Sequence, residues 1–173
     1  MMGAKTLESK AVTSLVVEPT APVKKPAKKN TSKSRRKSRE LAMKAIYRGL
    51  LNQSDISAVL HDMKDDPDYN KADEAYFTHL LAAVTQHMDT LDVAMAQFID
   101  RKVTELSPVE HAILRISACE LMFDLSIPYR VVINEGVELA KIYGGVDGHK
   151  YINGVLDKVA AKVRAAEVER FKA

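Results

Sequence analysis

The stretch SPVEHAILRISACELMF, Ser107–Phe123, decides the fold. Ser107 can accept from the free N–H groups of a first helical turn, and Pro108 suits the first helical position. Glu110, three residues after the serine, can close a capping box. Val109, Ala112, Ile113, Ile116 and Phe123 follow as an apolar stripe, so a helix is predicted here. Downstream, Pro128 opens another helix with Val132, Gly136, Leu139, Ala140 and Tyr143 on one side, and Gly144-Gly145 stops it. Asp147 is the expected cap of a last helix whose face is Ile152, Val155, Leu156, Val159 and Val163. Upstream, Phe77, Leu80, Leu81, Val84 and Met88 share a face that continues through Leu91, Met95 and Phe98 after a bend near Asp89 and Thr90. The polar run KDDPDYNK separates it from a short helix, capped by Ser54 or Asp55, through Val59, Leu60 and Met63. From about Ser34 to Gln53, Leu41, Ala42, Ala45, Ile46, Gly49 and Leu50 recur at helical spacing. The one β-like run, YRVVIN, lies inside helical periodicity. The fold class is therefore all-α, with about six to seven helices.

Composition removes several kinds of function. A chain of 173 residues with 46% apolar content can build one core, and no tryptophan contributes to it. Cys119 is the single cysteine, which excludes an internal disulfide and a cysteine metal cage. It falls in a predicted apolar helix, where a buried, inert thiol is expected. None of the five histidines pairs with another at zinc-helix spacing, and the glycines at 144–148 lack the Walker spacing and lysine. No catalytic constellation is present, so the reading is not an enzyme, with no cofactor and no metal. No apolar run approaches a membrane span, and the first residues lack the pattern of a secretory signal. A soluble cytoplasmic protein is the simplest expectation.

The net charge of +3 hides an asymmetry. Residues 1–40 hold eleven basic and three acidic residues; the remainder holds fifteen basic and twenty acidic. Residues 1–31, rich in Pro, Lys, Ala and Thr, bury too little apolar surface to order themselves, so a disordered basic extension is predicted ahead of a helical domain at 32–173. In SKSRRKSRELAMKAIY, Ser32–Tyr47, the cations run straight into helical periodicity. Arg35, Arg36 and Arg39 can share a helix surface, broadened by Lys33 and Lys37. Cations in a first turn oppose the helix dipole, which implies a use for the charge. Tyr47 can extend that surface or pack in the core. Asp147, His149 and Lys150 precede Tyr151, so a helix start beside a lysine could hold a phosphate and the ring could stack an unpaired base. The mixture suits single-stranded RNA better than duplex DNA.

Four segments carry a resemblance. RRKSRELAMKAIY, SPVEHAILRISACEL, IPYRVVINEGVELAKIYG and GHKYINGVLDKV, in that order, resemble the hallmark segments of the NusB family of bacterial transcription antitermination factors. The likeness runs from about Ser34 to Arg164. It implies two small helical bundles packed together and binding to the boxA element of leader and ribosomal RNA transcripts. It also implies a heterodimer with NusE, a small-subunit ribosomal protein, within an antitermination complex on RNA polymerase. By position, the family's arginine-rich helix start corresponds to Arg35, Arg36, Lys37 and Arg39. The implied RNA surface adds Tyr47, Asp147, Lys150 and Tyr151, and Glu105 and Glu110 fall in the region used against NusE. Two positions depart from the pattern. Lys37 replaces a common arginine, keeping charge without a fork, and Gly148 stands where a small polar residue is common. The rival reading is a helical protein-interaction module, in one form a homodimer, whose basic arm serves solubility.

Overall fold

Eight α-helices make up the fold among residues 34–173, which the computed structural model describes. The expected arm at 1–31 lies outside those residues. In order the helices are α1 (Arg35–Asn52), α2 (Ile56–Met63), α3 (Glu74–Gln86), α4 (Met88–Ala96), α5 (Pro108–Phe123), α6 (Tyr129–Tyr143), α7 (Gly148–Val163) and α8 (Ala165–Lys172). Short 3-10 turns stand at Tyr69–Lys71 and Val103–Glu105. The all-α expectation holds; the count exceeds six to seven for local reasons. The expected bend falls at His87 and divides α3 from α4. Arg164 ends α7 and lets the chain re-enter as α8.

The ends follow the local chemistry closely. Ser34, Asp55, Asp73 and Ser107 each accept a backbone N–H from the first turn that follows them. Gln53 closes α1 in the left-handed region at φ 48°, with its N–H on Gly49 O. Two expectations fail. The Glu110 carboxylate does not return to Ser107; it lies toward the start of α7, where a Cβ on Gly148 would meet Oε1 at 3.4 Å. A reciprocal contact of that kind stands one turn earlier, where the Glu105 carboxylate accepts from Lys102 N at 2.8 Å and closes the Val103–Glu105 turn. Asp147 precedes α7 in the left-handed region, φ 60°, and its side chain caps nothing.

α5 lies at the centre of the helix packing. Every residue from His111 to Leu121 is buried, because α1, α3 and α4 cover one side of α5 and α6 and α7 the other. The predicted single stripe understates this: Phe123, assigned to it, is exposed. α5, α6 and α7 come together at Gly136, where a Cβ would meet Ser117 Oγ at 2.6 Å and Leu156 Cδ1 at 3.1 Å. No helix among the described residues is long and apolar enough to cross a membrane.

Candidate nucleic-acid interface

The predicted site residues fall into two groups. The first gathers at the start of α1, which is tied down by Ser34 N on Lys71 O at 2.9 Å and Ser38 Oγ on Asp73 O at 2.7 Å. The first turn of α1 contains no acid, and tertiary structure supplies the missing carboxylates. Arg36 donates through Nε and Nη2 to Glu135 of α6, both at 3.0 Å. Lys37 bridges Glu40 at 2.9 Å and Asp68 at 3.2 Å. The Lys37 hydrogen bonds to these acids raise its pKa, and those from Lys71 and Lys37 lower that of Asp68. Arg35 is exposed, with its guanidinium 4.5 Å from the Tyr76 ring centre.

Arg39 corrects the expected set. It is 6% exposed and donates to Glu120 Oε1 at 2.7 Å, while the Tyr76 hydroxyl donates to the same oxygen. Burial pushes the Glu120 pKa up; the Arg39 charge and the two hydrogen bonds oppose that. Arg39 therefore serves as the counter-ion of a buried acid and is withdrawn from the surface. A glutamate inside the apolar run of α5 was the signal that a cation had to come to it. Tyr47, eight residues and about 12 Å farther along α1, is half-buried and packs against the core.

The second group stands at the start of α7. Asp147 and Lys150 are exposed and paired at 3.1 Å. Tyr151 is half-buried; its hydroxyl donates to Asp100 Oδ1 at 3.3 Å, and the Arg101 guanidinium lies 4.7 Å from its ring centre. Arg101 also holds Asp100 at 2.8 Å, so the two residues clamp the ring. Neither Asp100 nor Arg101 belongs to the predicted site. They lie fifty residues from Tyr151, and only the fold reveals them. Among the described residues no hydrogen bond or ion pair joins the two groups directly. α6 spans the interval: Glu135 meets Arg36, the Tyr143 hydroxyl donates to Glu40, and Gly144–Asp147 leads into α7.

Elsewhere the chemistry is structural. Burial pushes the Cys119 thiol up to about 12. Arg115 and His111 hold Asp92 at 2.7 and 2.8 Å. Among the described residues no cluster of His, Cys, Asp and Glu could hold a metal ion.

The fold and this surface define an all-helical protein that presents cations and a clamped aromatic ring at two helix starts. The sequence model of the NusB family matches residues 36–161, and the chain belongs to that family. It is 59% identical over 132 residues to the transcription antitermination protein NusB of Methylobacillus flagellatus, covering 76% of this chain and 86% of the relative. Its identity to the NusB of Cupriavidus pinatubonensis is 52% over 130 residues, covering 75% and 78% of the two chains. Among solved structures, T. maritima NusB superposes with a TM-score of 0.69 at 25% identity, covering 79% of this chain and 97% of that one. A chain from the crystal structure of antitermination factors NusB and NusE in complex with dsRNA superposes at 0.66 and 24% identity, covering 72% and 94%. At that identity the likeness concerns the fold.

Proposed function

We propose that this chain is a transcription antitermination factor that binds boxA RNA of ribosomal RNA leader transcripts together with NusE. The pair then acts within an antitermination complex on RNA polymerase and supports processive transcription of ribosomal RNA. The observation that carries the reading is the pair of helix starts that α6 connects, the α1 cations beside Glu135 and Lys150 with the clamped Tyr151. Arg35, Lys37 and Lys150 lie where phosphates of an extended strand can replace their present surroundings, and such contacts supply affinity without sequence. Tyr151, steadied on one side by Arg101, can stack an unpaired base, and base stacking is what single-stranded RNA offers. Tyr47 and Asp147 border that path. Glu105 and Glu110, at the head of α5, are assigned to the NusE contact. The name of the solved NusB–NusE complex and the names of the relatives support the partner and the process. Residues 1–31 form, in this reading, a basic extension ahead of the domain at 32–173.

Fluorescence anisotropy with a boxA-like RNA and a scrambled control, across a salt series with and without NusE, tests this. The expected result is a preference for boxA that sharpens when NusE is added. Equal, weak binding to both RNAs with no response to NusE returns the surface to a generic polycation, and a protein-interaction module becomes the better account.

A further inference from the structure

Between the start of α1 and the outer face of α6 lies a groove of about 140 Å³. Leu139 forms an apolar floor, Ile142 an exposed apolar edge, and Arg36, Lys37, Glu135 and Glu138 supply charge. Arg36 is the unusual member. Its side chain is 56% exposed, yet its Nε and one Nη2 hydrogen are committed to Glu135, which is itself 14% exposed. A guanidinium has five N–H donors in a rigid fork. Engaging the Nε side leaves the end-on pair, one hydrogen from Nη1 and one from Nη2, parallel and fixed in direction. The Arg36–Glu135 pair is also electrically neutral, and Glu138 stands beside it. Phosphodiesters gain little from such a place, since their affinity rests on net positive charge. A neutral base edge loses nothing by it.

Resting on the RNA-binding reading above, we infer that this groove is a guanine-reading subsite. Arg36, pinned by Glu135, faces O6 and N7, and Glu138 faces the N1–H and N2 amino edge. Guanine alone among the four bases pairs two adjacent acceptors on its Hoogsteen edge with donors on its Watson–Crick edge, and a bidentate arginine is its common reader. Leu139 and Ile142 supply the apolar surface on which an unstacked base lies. Glu138 is now paired with Lys141 at 3.2 Å, a side-chain contact at the surface that a base amino group can replace. Glu135 is a positioning residue: it touches Arg36 rather than the base.

The test is a cycle of protein and RNA changes. The full chain is titrated with the boxA-like RNA, with the same RNA carrying 7-deazaguanine for every guanine, and with the scrambled control. Loss of N7 should weaken wild-type binding about tenfold. Arg36→Lys keeps the charge and loses the fork. It should bind the unmodified RNA about tenfold more weakly and lose nothing further on 7-deazaguanine. Glu135→Gln should tighten the scrambled RNA about threefold while reducing the boxA preference. Glu135→Asp should restore part of that preference, and thermal melts should keep all three variants folded. Equal, additive losses from Arg36→Lys and 7-deazaguanine would overturn the subsite and leave Arg36 a phosphate contact. A parallel gain for both RNAs from Glu135→Gln would reduce Glu135 to a nearby negative charge and likewise overturn it. If the wild type shows no boxA preference, the RNA reading itself fails, and the subsite with it.

Discussion

At the start of α1 four basic residues stand within five positions, and the partner of each decides what it can do. Arg39 meets a carboxylate buried in α5 and is taken out of solvent; Arg36, three residues earlier, meets one on the flank of α6 and remains half outside. At the start of α7 there is no such sorting. Lys150 and Asp147 are both mostly in water, and the ordered element is the Tyr151 ring, held by Asp100 and Arg101. The first region is therefore anchored by a buried charge, and the second is a surface arrangement that can exchange partners at little cost. The same residue type in the same short motif is buried structure in one case and an exposed cation in the other. Burial of the counter-ion separates them.

The largest effect should come from breaking the anchor. Arg39→Ala leaves Glu120 buried without its cation and should cost about 3–5 kcal/mol, measured as a lower midpoint in urea denaturation. Replacing both partners by apolar residues of similar size, Arg39→Met with Glu120→Leu, should recover much of that loss; failure to recover would mean the pair does more than neutralise itself. Arg115 and Asp92 repeat the anchor elsewhere on α5, which allows a test by pH. Burial would raise the Asp92 pKa, but hydrogen bonds from His111 and Arg115 bring it down to about 2. Its contribution of about 2 kcal/mol is present above the unfolded value near 4 and lost as pH falls from there towards 2. Asp92→Asn should flatten the acid limb of a stability–pH profile, and an unchanged limb would remove the pair from the account.

The surface region should respond in binding and not in stability. Tyr151→Ala is expected to lower the affinity for boxA about tenfold, as loss of one stacked base, with the melting temperature little changed. A loss of the same size on scrambled RNA would make Tyr151 a general platform. The smallest change belongs to Lys150→Ala. It should weaken all RNAs alike and reduce the salt slope by about 0.7 for one phosphate contact on a single strand. A loss confined to boxA would make Lys150 a reader and narrow the difference between the two regions.

Helix ends were legible because their chemistry is local: Ser107-Pro108, Asp55 and Gly144 each act within a turn of where they stand. The environment of α5 was less so. His111, Arg115, Ser117 and Glu120 put polar groups on both sides of it in sequence, and each is buried because a partner comes from another element or the helices close over it. Arg39 and Glu120 are 81 residues apart, so no spacing rule links them. The cation cluster and Tyr151 could be found as candidates, but which cation reaches water could not. Asp147 misled for a simpler reason. An aspartate before a helix usually caps, and here a left-handed backbone turns its carboxylate toward Lys150.

Arg164 has a reach beyond the break it makes between α7 and α8. Its guanidinium donates to the carbonyls of Glu120, Leu121, Asp124 and Ile127, closing the end of α5 and the turn after it. Its partner Glu167, in α8, accepts in turn from Tyr129 N at the start of α6. The last helix is thus wired to the centre of the chain. When α8 frays, Arg164 and the Tyr129 N–H lose Glu167, so amide exchange in the last helix and at the start of α6 should proceed as one cooperative unit.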